Sequence, residues 1–230
     1  MRRTLSVLAT LLTVFLSGAI VFAETVVINH ISRGWYAETG LHVSNGNYLV
    51  GDSRGPTCVR CFNDYHNFFV FDLASVTQPI GSAKLRLFLP SQLLGPGYVS
   101  PDPGENYALY DVSTPISTLV GGTGGVAAHA DLGSGVVYGS RTITAADMGS
   151  MVEIDLNTSA IAALDAATGL IGIGGTVTTL DSAANAEYVF GATGLVTHIT
   201  ELRLTLVPEP STLFLLGIGA ISLVGYRRHR

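Results

Sequence analysis

The chain has 230 residues, of which 47% are hydrophobic and only 13% charged, with a net charge of −5 at pH 7. Its basic residues crowd the two ends, so residues 24–207 carry seven Lys and Arg against sixteen Asp and Glu, a net of −9. With Lys84 the one lysine, that balance excludes nucleic acid and anionic lipid as partners and leaves calcium, neutral glycans or plain solubility.

Met1-Arg2-Arg3 is a short positive segment, and residues 5–22 after it are apolar with a few small polar residues. Val21-Phe22-Ala23 offers small or aliphatic side chains at the −3 and −1 positions. Residues 1–23 therefore read as a signal peptide, cleaved between Ala23 and Glu24, with the export translocon and signal peptidase as partners. An uncleaved anchor is the alternative.

Residues 24–207 are rich in Gly, Thr, Ser, Val and Leu and poor in Lys and Glu, which favours strands, and they suffice for a single core. A first strand is expected over 26–31. Asn45-Gly46, flanked by Val43 and Tyr48, signals a hairpin. Residues 67–73 are aromatic and aliphatic almost throughout, as in a strand covered on both faces. Over 83–89, Leu85, Leu87 and Leu89 alternate with Lys84, Arg86 and Phe88. Further strands are expected over 107–112, with Ala108, Tyr110 and Val112 on one face, and over 136–143, 152–156, 170–174, 187–190 and 198–207. In the last, Leu202, Leu204 and Leu206 face away from Glu201, Arg203 and Thr205. Gly121-Gly122-Thr123-Gly124-Gly125 reads as a flexible loop. One helix is expected over 160–166, capped by Thr158 or Ser159 and ended by Gly169. Nine or ten short strands with one helix indicate an all-β fold, an antiparallel β-sandwich of jelly-roll type, with a barrel as runner-up.

The sequence assembles no catalytic set. Gly51-Asp52-Ser53-Arg54-Gly55-Pro56 fits Gly-x-Ser-x-Gly and nearly matches the stretch around the nucleophile of trypsin-like proteases. It lacks a convincing helix behind it and room upstream for a base and an acid, so a Gly-rich turn is expected and the protein is read as a non-enzyme. Cys58 and Cys61 are the only cysteines. In an exported chain they read as a disulfide tightening one loop. His30, His42, His66, His129 and His198 show no ligand spacing, and no metal residues are assigned. Asp102 and Glu105 flank one turn, and Asp52 and Asp64 flank the cysteine loop. Calcium between such loops is the one cofactor left open. Trp35, Tyr36, Tyr48, Phe62 and Tyr65 crowd the first third of the body. Trp35, Tyr36 and Tyr48 are candidate glycan contacts if exposed and core if buried.

The tail closes the reading. Pro208 and Pro210 exclude a helix before Ser211. From Ser211 to Gly225 nothing is charged, a run that spans roughly 22 Å as a helix against a bilayer core of ~30 Å. It can serve as a membrane helix with local thinning, Arg227, Arg228 and Arg230 forming a basic stop on the cytoplasmic side. Val207-Pro208-Glu209-Pro210, one apolar helix and a basic end resemble the PEP-CTERM sorting signal of Gram-negative bacteria. The resemblance implies export, an inner-membrane precursor and recognition by the transpeptidase exosortase, then release or re-anchoring at the cell envelope, cell surface or outside. Three domains follow: signal peptide 1–23, body 24–207 and sorting signal 208–230. Arg33-Gly34-Trp35-Tyr36, Asn47-Tyr48-Leu49-Val50-Gly51 and residues 67–73 resemble a family of uncharacterised PEP-CTERM proteins, as do Ser100-Pro101-Asp102-Pro103, residues 111–115 and residues 138–141. Residues 71–87 are also similar to secreted β-sandwich modules of carbohydrate-active proteins. The expected role is a cell-envelope or matrix protein, or alternatively a glycan-binding module, with exopolysaccharide as the further partner.

Overall fold

The computed structural model describes residues 23–54, 64–91, 96–181, 185–194 and 198–207. The signal peptide up to Phe22, Cys58 and Cys61, and the tail from Pro208 lie outside the described residues. Among the described residues no helix is long and apolar enough to cross a membrane.

Thr25–Val207 form one unit. Its described residues form strands β1 (Thr25–Ala37), β2 (Val50–Asp52), β3 (Tyr65–Asp72), β4 (Ile80–Leu89), β5 (Tyr98–Val99), β6 (Glu105–Asp111), β7 (Val137–Ile143), β8 (Ser150–Asp155), β9 (Leu170–Val177), β10 (Glu187–Val189) and β11 (Thr200–Leu206). Every pairing is antiparallel, in one sheet that curls on itself.

The curl begins in β1. Up to Asn29 it pairs with β11; from His30 on, across a bulge at Ile31, it pairs with β3. A bulge bends the strand and increases its twist, so one strand serves two layers. The first layer runs β1–β11–β4–β8 and the second β1–β3–β9–β6–β7. On the far side β7 and the end of β8 meet, where Asn157 N–H donates to Tyr138 O at 2.8 Å and Arg141 Nη1 to Glu153 O at 3.1 Å.

Leu85, Leu87, Leu89, Leu202, Leu204, Leu206, Val152 and Ile154 of the first layer share one core with Phe69, Phe71, Tyr107, Leu109 and Ile173 of the second. The alternation of β4 and β11 therefore points inward as its period demands. In β6 the core-facing residues are Tyr107 and Leu109. The opposite face, expected to be the apolar one, is covered too: Val112 joins Tyr36, Phe68, Val70, Leu119, Ala128 and Leu132 in a second cluster.

That second cluster is roofed by two helices the sequence reading did not contain, α1 (Ile116–Val120) and α2 (Gly125–Leu132). The glycine run ends as a helix start, not as an open loop. The expected helix is α3 (Thr158–Ala166), capped by Asn157, whose Oδ1 accepts from Ala160 N–H at 3.0 Å. A 3-10 turn over Ala145–Asp147 completes the helical segments among the described residues. The hairpin expected at Asn45-Gly46 is corrected: the turn forms, with Asn47 N–H donating to Asn45 Oδ1 at 3.0 Å, but no ladder flanks it.

A buried polar knot ties the second layer together. Asn67 Nδ2 donates to Tyr48 O at 2.8 Å, and the Tyr107 hydroxyl donates to Asn67 Oδ1 at 2.7 Å. Both groups crowd Gly175, where a Cβ would stand 2.1 Å from the Tyr107 oxygen. Only glycine fits.

Candidate functional site

Of the three candidate glycan contacts, Tyr36 and Tyr48 have no exposed surface. The Tyr36 hydroxyl donates to Leu119 O at 2.8 Å, and its ring stacks on His42 at 4.9 Å. Tyr48 donates to Phe88 O at 2.8 Å beneath the Arg33 guanidinium, 4.8 Å from its ring centre, and burial pushes its hydroxyl up to about 12. A ring enclosed on all sides has no face for a sugar, which removes both from the contact set.

Trp35 stands differently. It points to the same side of β1 as Ala37, opposite which Tyr65 opens β3. The two rings meet edge-to-face at 4.9 Å and 83°. With 7% of its surface exposed, Trp35 is core by its ring as well, packed with Ala37 and Tyr65, but its edge lines a cleft of about 400 Å³ with Asn47, Leu49, Ser53, Tyr65 and Tyr188. Its indole N–H is buried and has no hydrogen-bond partner among the described residues. Tyr188 comes from β10, placed by pairing with Gly51. Gly191 and Ala192 complete the wall.

That wall is held in a costly conformation. Phe190 and Ala192 sit at φ 59° and 54°, left-handed angles without glycine's freedom, at a cost of order 1–3 kcal/mol each. Gly191 N–H bonds Gly97 O at 3.1 Å, and the Thr193 hydroxyl bonds Phe190 O at 2.8 Å. A larger cleft, about 520 Å³, lies by His30, Arg33 and His42. Its polar groups already engage the protein's own carbonyls: His30 with Thr200 O, Arg33 with His198 O and His42 with Trp35 O. The smaller cleft is the one with a buried donor left over.

Histidines without ligand spacing in sequence are brought together in space. His66 of β3 stacks on His129 of α2 at 3.9 Å and 7°. His66 Nδ1 lies 2.6 Å from His129 O, and since a carbonyl only accepts, Nδ1 carries the proton. His66 Nε2 then faces Asp64 Oδ2 at 3.1 Å, with His129 Nε2 at 3.4 Å from the same oxygen. Lone pair against carboxylate is repulsive, so the contact requires a second imidazole proton or a metal ion. Burial pushes the Asp64 carboxyl up, but hydrogen bonds and charge from His129 and His66 outweigh it and hold it well below the usual carboxylate range.

Carboxylates gather at the β9–β10 connection. Asp102, Asp181 and Glu187 bring ligand oxygens within 4.8 Å of one another. The expected pairing of Asp102 with Glu105 is not how the oxygens are shared. Glu105 is buried and taken by Ser100 Oγ at 2.5 Å and by the Thr179 hydroxyl. Asp52 is clamped by Arg54 at 2.5 Å. Asp64 belongs to the histidine pair, and Ser53 stands on the wall of the aromatic cleft.

Beyond Leu206, the last residue of β11, the sequence family decides the reading. The model described as the PEP-CTERM protein-sorting motif matches residues 206–230. The chain carries a PEP-CTERM sorting motif. It is thus an exported protein with a C-terminal sorting signal, and the motif implies processing by exosortase. No curated protein matches the chain. Among solved structures, the K1 cleaved adhesin domain of Lys-gingipain from Porphyromonas gingivalis W83 is similar at 12% identity and a TM-score of 0.32, over 81% of this chain and 95% of that one.

Proposed function

We propose that the PEP-CTERM chain is a non-enzymatic cell-envelope or matrix protein whose body holds a glycan in the Trp35–Tyr65–Tyr188 cleft. It is made as an inner-membrane precursor and freed of its signal peptide between Ala23 and Glu24. The carrying observation is the buried indole N–H of Trp35, unpartnered among the described residues and set among aromatic walls. A buried donor without a partner costs about 1–3 kcal/mol. A shift of the cleft wall that uncovers the indole edge would let a ligand hydroxyl recover that energy while its C–H face lies on a tyrosine ring. The cleft, about 400 Å³, is within the size range of small-ligand sites, roughly 300–1,000 Å³. The body's net −9 suits a neutral glycan over an acidic one.

Trp35 is the chain's single tryptophan, so its fluorescence reports on this cleft alone. We expect a glycan array, probed with exopolysaccharide fragments among its members, to yield a ligand that shifts this emission saturably. Tyr188→Ala should weaken that ligand while leaving the emission of the free protein in place. A bound glycan that leaves Trp35 emission unchanged, or an array with no bound member, would refute the reading.

A further inference from the structure

The geometry points to a calcium site formed by Asp102, Asp181 and Glu187, where the β5–β6 connection meets the β9–β10 connection. The inference does not depend on the glycan reading.

Glu187 decides it. The residue opens β10 with 0% of its surface exposed. Its Oε2 accepts from Asp181 N–H at 2.9 Å, while Oε1 is buried and has no hydrogen-bond partner among the described residues. Burying an ionised carboxylate without a compensating charge is strongly unfavourable. No Lys, Arg or His among the described residues lies within ion-pair distance of Asp102, Asp181 or Glu187. Glu105 close by shows what the fold does with a buried carboxylate that it satisfies itself: both oxygens receive hydroxyls, from Ser100 and Thr179. At Glu187 Oε1 no such donor is supplied, and two further carboxylates are turned to the same place. Three negative groups whose oxygens come within 4.8 Å, one of the residues also keeping a buried oxygen unsatisfied, are held against their own repulsion, and a cation removes both costs.

The donor set names the cation. All three ligands are oxygens, which suits a hard ion and not zinc or copper. Calcium accepts six to eight oxygens at 2.3–2.6 Å in a flexible shell that carboxylates from separate segments can supply, whereas magnesium at 2.0–2.1 Å demands a near-ideal octahedron. The Tyr98 hydroxyl, donating to Asp102 O at 3.2 Å, marks the same focus. Exported modules bind calcium with dissociation constants of about 10⁻⁴–10⁻³ M. Bound there, the ion joins Asp181, beyond the end of β9, to the first residue of β10, and so braces the strand that carries Tyr188.

The test uses the full-length chain in mild detergent, stripped with EDTA and dialysed, with calcium ion itself as the probe. Equilibrium dialysis should give one calcium per chain at this site, and the thermal midpoint should rise by several degrees in about 2 mM calcium. Glu187→Gln, which keeps the shape and removes the charge, should weaken binding about tenfold or more. Asp181→Asn, at an exposed position, should weaken it too and guards against a folding defect at Glu187. Asp155→Asn, far out on β8, should leave binding as it was. Three results would each overturn the site: no saturable calcium binding to about 5 mM, both site variants binding like the parent, or magnesium competing at equal concentration.

Discussion

Replacing Asn67 by leucine should destabilise the body by about 2–6 kcal/mol. Asn67 is fully buried, and its amide stands between two other buried groups, the carbonyl of Tyr48 and the hydroxyl of Tyr107. Leucine approximates its shape but makes neither bond. Each orphaned group costs about 1–3 kcal/mol, and two are orphaned. Burial already drives the Tyr107 hydroxyl far above its ordinary range, with the bond to Asn67 as the opposing influence. Tyr107→Phe removes one donor and should cost about half as much. The double variant should cost less than the sum, because the two share one bond. Equilibrium urea unfolding of residues 24–207 measures all three, with unchanged slope confirming an unchanged fold. A loss below about 1 kcal/mol for Asn67→Leu would mean that the polar knot does not tie β3 to β6 in solution.

Residues 24–207 expressed without either end should unfold cooperatively; a coil-like circular dichroism spectrum would refute an independent body. Asp131 accepts from the backbone of Ser113 and Thr114 and from the Ser113 hydroxyl, and although burial raises its carboxyl, these bonds hold it below the ordinary range. Its contribution is therefore present above about pH 4 and lost as pH falls through the depressed value. The melting gap between the parent and Asp131→Asn should be open at neutral pH and close in acid. Gly51→Ala, at φ +100° with a Cβ 2.4 Å from Glu187 O, should part β2 from β10 at a cost of about 1–3 kcal/mol and weaken ligand binding beside Tyr188. Deleting residues 208–230 should release the body from the membrane fraction. Alanines at Pro208, Glu209 and Pro210 should instead keep it there and block processing, as read by gel mobility in an exosortase-bearing host.

The strands with one dry face could be read from residues alone. Leu85, Leu87 and Leu89 alternate with Lys84 and Arg86, and Leu202, Leu204 and Leu206 with Glu201 and Arg203. Helices α1 and α2 escape that reading because their starts carry no capping signal, although the alanines of α2 favour a helix. The first starts behind Pro115, and the second at Gly125 with φ 59°; neither has a side-chain cap. They are held by Leu119, Ala128 and Leu132 against Phe68 and Val70, contacts that tertiary structure alone supplies. Asn45-Gly46 predicted its turn correctly and its neighbours wrongly, since His42 bridges to Tyr36 and Tyr48 O is taken by Asn67. The sites follow the same division. His66 and His129 are 63 residues apart, and Asp102 lies on the β5–β6 connection while Glu187 opens β10. Spacing rules find ligands on one helix or in one loop; these meet only once the sheet has curled.

β11 is the last strand of the body and also an interior one, bonded to β1 on one side and β4 on the other. A chain exported from its N-terminus delivers the first and fourth strands long before the strand that belongs between them. Until residues 200–206 have crossed, both neighbours present bare edges, and the leucines of β4 lack their partners on β11. The slowest contacts to form, the long-range pairings of this layer, wait on the final stretch of the body. The sorting motif match starts at Leu206, inside that same strand. The strand that completes the fold therefore runs straight into the stretch that carries its address, so the body can close its sheet only when the sorting signal is next in line.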